Sequence, residues 1–194
     1  MTKIIIFDIG GVLCTELSDS KEYVNKTIFE KTGVNSWPYG NKLSPRYKEF
    51  SEGKITPEEY FQNLIDLSKA KVSVQELMHV YKELYFELTN LNPKMEELVK
   101  NLRKKYKIAC LTDTNEFHRQ MNEERGLFNL FDVCFTSSGL GVTKYEAQVF
   151  KIVTDKLEIK PSECTFIDNH EGHVGRAKSI GIDAIHFQSY EQLV

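Results

Sequence analysis

The chain has 194 residues, of which 41% are hydrophobic and 27% charged, enough for one sizeable core or for one domain carrying an insertion. A net charge of −3 supplies no electrostatic reason to expect nucleic acid or an anionic membrane as partner, and no apolar run is long enough to span a bilayer. Asp8 interrupts the apolar N-terminal stretch and no small-residue cleavage site follows, so no signal peptide is expected. Cys14, Cys110, Cys134 and Cys164 lack paired metal-type spacing and read as reduced thiols of a cytoplasmic protein.

In chain order, Ile4-Ile5-Ile6-Phe7 opens an apolar run that continues through Asp8-Ile9-Gly10-Gly11 to Val12-Leu13. Such a run, rich in β-branched residues, predicts a buried parallel strand with Asp8 at or just past its carboxyl end. From about Glu16 to Thr89 the pattern turns helical. Tyr23 to Lys31 reads as a helix ended by Gly33. Thr56-Pro57-Glu58-Glu59 and Ser73-Val74-Gln75-Glu76 are capping boxes, each followed by apolar residues at helical spacing. Trp37, Tyr39, Tyr47 and Phe50 form an aromatic-rich patch around Arg46, the only arginine of this stretch.

After Asn92-Pro93 strands and helices alternate. A helix carrying Met95, Leu98, Val99 and Leu102 comes first, the strands are Lys107–Leu111, Asp132–Thr136, Cys164–Ile167 and Ala184–Phe187, and a helix between the second and third of them carries Phe150, Val153 and Leu157. This alternation predicts an α/β fold, a Rossmann-like doubly wound parallel sheet with a small helical insertion after the first strand. Residues 1–14 and 90–194 form the core in this reading, and residues 15–89 form the inserted cap.

The polar groups gather at strand ends. Asp8, Thr112 and Asp168 each sit at the carboxyl end of a predicted strand, and Lys144 precedes a helix. Parallel strands bring all such ends to one sheet edge, where ligands of open α/β sheets bind. Two carboxylates and a backbone carbonyl suit Mg²⁺, a lysine and a hydroxyl suit a phosphoryl group, and an aspartate can attack that group. The plainer alternative is that each group caps its own loop.

Phe7-Asp8-Ile9-Gly10-Gly11-Val12-Leu13, Leu111-Thr112-Asp113-Thr114-Asn115, Lys144 in Gly141-Val142-Thr143-Lys144, and Phe166-Ile167-Asp168-Asn169 occur in the order of four family motifs. With Gly175-Arg176-Ala177 and Gly181-Ile182 after the last, the chain resembles the haloacid dehalogenase superfamily, in its subgroup with a helical cap. The resemblance implies a phosphatase of a small phosphorylated metabolite, such as a sugar phosphate, that works through an aspartyl-phosphate intermediate. Asp8 would be the nucleophile, with Thr112 and Lys144 on the phosphate. Asp8, the carbonyl of Gly10, Asp168 and Asn169 would hold Mg²⁺, or Mn²⁺ or another divalent metal. Ile9, Gly10 and Asp113 would contact substrate, with Arg46 joining them from the cap; the alternative for Arg46 is a solvated surface residue.

The sequence also departs from the family pattern. The position two residues after the nucleophile usually carries an aspartate that protonates the leaving group, and here it is Gly10. Asn169 stands where a second acid is common, Asp113 where asparagine is usual, and Tyr145 where proline is common. His170 and His173 are either capping or solvent-facing residues of a helix start, or groups that favour a transition metal or replace the missing acid. The departures leave two alternatives to the phosphatase: a metal-independent 2-haloacid dehalogenase and a non-catalytic binding protein. The residues do not specify an oligomeric state.

Overall fold

The computed structural model describes residues 2–35 and 45–194. Strand β1 (Ile4–Phe7) lies at the centre of a parallel sheet with β2 (Lys107–Thr112), β3 (Val133–Thr136), β4 (Cys164–Asp168) and β5 (Asp183–His186), in the order β3-β2-β1-β4-β5. All four residues of β1 are buried, as a strand covered on both faces must be. Its register pairs Ile4–Phe7 with Lys107–Cys110 on one side and with Cys164–Ile167 on the other. The residues that leave β1, β2 and β4 therefore emerge side by side at one edge.

Helices α1 (Lys21–Thr32), α2 (Pro45–Ser51), α3 (Pro57–Ser68) and α4 (Val74–Leu88) follow β1, with no intervening strand among the described residues. Then α5 (Pro93–Leu102), α6 (Glu116–Glu124), α7 (Ser137–Leu140), α8 (Gln148–Leu157) and α9 (Glu171–Ser179) alternate with the remaining strands. Side chains alternate across each strand. Ile4, Ile6, Ala109, Leu111 and Phe166 pack with Val149, Phe150 and Val153 of α8 and with Val174 and Ala177 of α9. Ile5, Phe7, Ile108, Cys110 and Ile167 pack on the opposite face with Met95 and Val99 of α5. Helices on both faces make the sheet doubly wound, as the alternation predicts.

Local hydrogen bonds set the helix starts. Thr56 and Ser73 accept from the backbone N–H groups of Glu59 and Glu76, and each glutamate reaches back to its cap residue. Asn92 caps α5, with Pro93 at the first helical position. Asp8 lies just past the carboxyl end of β1, as expected, while β2 and β4 run one residue further, to Thr112 and Asp168, and β3 starts one residue later, at Val133. The extended run stops at Phe7, because the N–H groups of Leu13 and Cys14 both turn back to the carbonyl of Ile9, at 2.8 and 2.9 Å. The last strand begins at Asp183, one residue earlier than predicted.

The inserted helices pack on one another through Val24, Ile28, Phe50, Tyr60, Phe61, Leu64, Leu77 and Leu84, and this cluster also takes in Phe117 and Met121 of α6. Insertion and sheet layer thus share apolar contacts. The chain leaves and re-enters the sheet layer along paired backbone: Cys14 bridges Leu91, Thr15 N–H donates to Asn90 at 3.0 Å, and Asn92 N–H donates to Leu13 at 2.8 Å. Arg125 donates to the carbonyl of Thr89 and stacks over Tyr85, tying this junction to the end of α6. Trp37 and Tyr39 of the expected aromatic patch lie outside the described residues. Phe50 stacks on Tyr60 with ring centroids 4.3 Å apart, so the rest of the patch serves the cap's core.

Candidate active site

Asp8 immediately follows β1. Its Oδ1 accepts the Ile9 N–H at 2.7 Å, and its Oδ2 lies 2.8 Å from Lys144 Nζ. The same ammonium lies 2.7 Å from Oδ2 of Asp168, the last residue of β4. One lysine, 1% exposed, therefore bridges two carboxylates supplied by adjacent strands. Asp113 fixes the lysine's own loop, because its Oδ1 accepts the Lys144 backbone N–H at 2.8 Å. The other oxygen of Asp113 is buried without a hydrogen-bond partner. Thr112 is buried at the end of β2, in register with Thr136 of β3.

Asp168 is held on both oxygens. Its Oδ1 accepts the His170 N–H at 2.7 Å, and its Oδ2 lies 3.2 Å from Nδ1 of His173. His173 is buried, stacks on His170 at 4.2 Å, and meets the edge of Tyr145 at 5.1 Å. It is neither solvent-facing nor a helix cap; its place in the first turn of α9 aims the ring back at Asp168. Asn169 leans over the first loop. A Cβ on Gly11 would come within 2.1 Å of its Nδ2, and Gly11 has φ +71°, so glycine is required there on both counts.

The electrostatics follow from burial and from these short contacts. Burial raises the pKa of Asp8 most, Lys144 opposes that rise, and the charge of Asp168 adds to it, leaving Asp8 at about 7. Burial works against the charge of Lys144, but Asp8, Asp168 and Asp113 together outweigh it and raise its pKa, so it stays an ammonium. Burial likewise opposes ionisation of Asp168, yet the hydrogen bonds of His173 and Lys144 prevail and hold it below the ordinary carboxylate range.

Two carboxylates share one ammonium there, and a divalent cation is the kind of group that would balance the remaining negative charge. Among the described residues no group of three or more His, Cys, Asp or Glu is arranged to hold a metal. The paired carboxylates of Asp8 and Asp168 do fit Mg²⁺, which is commonly held by one or two carboxylates and keeps several waters. The expected metal set of Asp8, Gly10, Asp168 and Asn169 sits around the first and last motif loops. The expected phosphate set of Thr112 and Lys144 borders it, with Ile9 and Asp113 bonded into the same loops.

Arg46 does not join this group. Its guanidinium pairs with Glu49 at 2.8 Å, in a groove lined by Glu58, Glu59, Gln62 and Asp66, none of which belongs to the strand-end cluster. The solvated reading describes its position, because the spacing of α2 puts Glu49 one turn away on the same face. Reading the sequence missed Ser137, which is fully buried after β3. Its Oγ accepts the Thr114 N–H and lies 2.7 Å from the carbonyl of Ser51 in α2, a link between site loop and cap.

A family model described as haloacid dehalogenase-like hydrolase matches residues 2–181, and the chain belongs to that family. The chain is 23% identical to a D-ribitol-5-phosphate phosphatase of Bacteroides thetaiotaomicron, over 94% of this chain and 90% of the relative. It is 25% identical to a phosphorylated carbohydrates phosphatase of Thermotoga maritima, over 94% of this chain and 83% of that one. A crystal structure of a family enzyme from B. thetaiotaomicron, in complex with magnesium and inorganic phosphate, superposes with a TM-score of 0.79 at 22% identity. That match covers 100% of this chain and 99% of the other, and it shows a common fold.

Proposed function

We propose that the protein is a Mg²⁺-dependent phosphatase of a small phosphorylated metabolite, a sugar or polyol phosphate in the first instance. The observation that carries this reading is the bridge of Asp8 and Asp168 by the buried Lys144 at 2.8 and 2.7 Å. It leaves a nucleophilic carboxylate beside a fixed positive charge, at the sheet edge where a phosphoryl group binds. The two phosphatase relatives support the same substrate class.

Asp8 attacks phosphorus and forms an aspartyl phosphate, which water then hydrolyses. Lys144 and Thr112 hold phosphoryl oxygens, and Asp113 keeps the Lys144 loop in place. Asp8, Asp168 and Asn169 together with the Gly10 carbonyl would hold Mg²⁺, and His173 keeps Asp168 oriented. When bound, the ion supplies positive charge to the phosphoryl oxygens as charge develops on them. The test is phosphate release from a panel of sugar 1-phosphates, sugar 6-phosphates, polyol phosphates, nucleotides and an aryl phosphate, with Mg²⁺ and with chelator. Turnover that needs the metal and disappears in Asp8→Asn is expected; turnover retained by Asp8→Asn refutes the assignment.

A further inference from the structure

Gly10 and Gly11 are adjacent, but they are glycines for different reasons. Gly11 has a left-handed φ and the Asn169 side chain above it, whereas the φ of Gly10 lies outside the left-handed region. What occupies the side-chain position of Gly10 is Glu16. A Cβ built on Gly10 would lie 3.2 Å from both Cγ and Oε1 of Glu16, and one on Gly11 would lie 3.1 Å from the same Oε1. A carboxyl oxygen therefore sits over the first-motif loop, where a side chain from residue 10 would begin.

The geometry of Glu16 is held. The residue is extended, with φ −93° and ψ 143°, at the start of a single 3-10 turn, Leu17–Ser20. Its N–H donates to Asp19 Oδ2 at 3.2 Å, and Ser18 Oγ donates to its Oε2 at 2.6 Å. One oxygen is thus fixed by its own turn while the other faces the glycines. Glu16 is half-buried, on the stretch that carries the chain from β1 into the inserted helices.

In-line displacement puts the leaving oxygen opposite the attacking oxygen. Attack by Asp8 at the sheet edge would send that oxygen away from the sheet, and Glu16 stands on the stretch that leaves the sheet for the inserted helices, over the loop that follows Asp8. We propose that Glu16 is the general acid and base of the reaction, taking from the cap side the place that Gly10 leaves vacant; this assignment rests on the phosphatase reading above. In the first step the Asp8 oxygen bonds to phosphorus, the ester P–O bond breaks, and the leaving oxygen takes the Glu16 proton and departs as an alcohol. In the second step a water oxygen bonds to phosphorus, Glu16 takes back a proton from that water, and the P–O bond to Asp8 breaks. Phosphate is released, and both carboxyl groups return to their starting state.

The test compares Glu16→Gln with wild type on two esters in the presence of Mg²⁺: a sugar phosphate, whose alkoxide must be protonated, and p-nitrophenyl phosphate, whose phenolate leaves unaided. The ratio kcat/KM reports formation of the aspartyl phosphate. Its expected fall is about 100-fold or more on the sugar phosphate and at least about tenfold smaller on the aryl ester. The double variant Gly10→Asp/Glu16→Ala, which supplies an acid from residue 10 and removes the group it would meet, is expected to recover sugar-phosphate turnover relative to Glu16→Ala. Equal losses on the two esters, no loss on either, or no recovery in the double variant overturns the role of Glu16. Wild type that releases phosphate from neither ester overturns the phosphatase reading, and this assignment with it.

Discussion

The sheet edge and the inserted helices use charge in opposite ways. At the edge, Asp8 and Asp168 are buried and share the ammonium of the buried Lys144, so the ionisation of these three groups is linked. In the insertion, the pairs Arg46–Glu49, Lys26–Glu30 and Lys31–Glu83 are exposed, and stability comes from Phe50, Tyr60, Phe61 and Leu64 packing together. Exposed pairs of this kind contribute about 0–1 kcal/mol, whereas removing one member of a buried pair is strongly destabilising. The edge spends folding free energy to hold unlike and like charges close together, and the insertion recovers it with apolar contacts.

The largest effect should come from breaking the edge. Lys144→Met leaves Asp8 and Asp168 facing one another without their shared cation. Loss of about 3–5 kcal/mol in denaturant unfolding is expected, with phosphatase turnover down by about 100- to 1,000-fold. A stable variant with normal turnover would show that the bridge is not the centre of the site.

A smaller, pH-dependent effect should appear when the edge is relieved of charge. Burial and Asp168 raise Asp8 from an ordinary value of 3.8 to about 7, so the folded state binds that proton more tightly than the unfolded chain. Ionising Asp8 therefore lowers stability as pH rises through this window. Asp8→Asn removes the term. In chelator it should melt close to wild type near pH 4 and above it at pH 8, by up to about 4 kcal/mol. Thermal melts across that range check the sign, and an advantage that shrinks toward high pH would contradict it.

The smallest effect should lie where the two regions touch. Gly53 follows α2 with φ +67°, and a Cβ there would come within 2.5 Å of the Ser138 carbonyl oxygen. Gly53→Ala should cost about 1–3 kcal/mol of stability and move the end of α2 from the Ser137 loop. Unfolding midpoints together with kcat for the preferred ester would show whether that contact serves the fold alone or the site as well.

The sequence was sufficient for features with short-range causes. The boxes at Thr56 and Ser73 and the cap at Asn92 are closed by residues two or three positions away, so spacing alone announces the helices. The strand runs and their alternation with helices likewise announced a parallel sheet, and parallel strands gather Asp8, Thr112 and Asp168 by topology. Tertiary structure decided what depends on distant partners. Arg46 found Glu49 on its own helix face instead of the site. His173 turned back onto Asp168, which only the start of α9 against β4 could arrange. Ser137 became the link to Ser51, 86 positions away. The empty side-chain position at Gly10 reads from sequence as a missing acid. Folding brings the Glu16 carboxyl over it, because the chain doubles back through Ile9 to Cys14 before entering the cap, and no spacing rule records that turn.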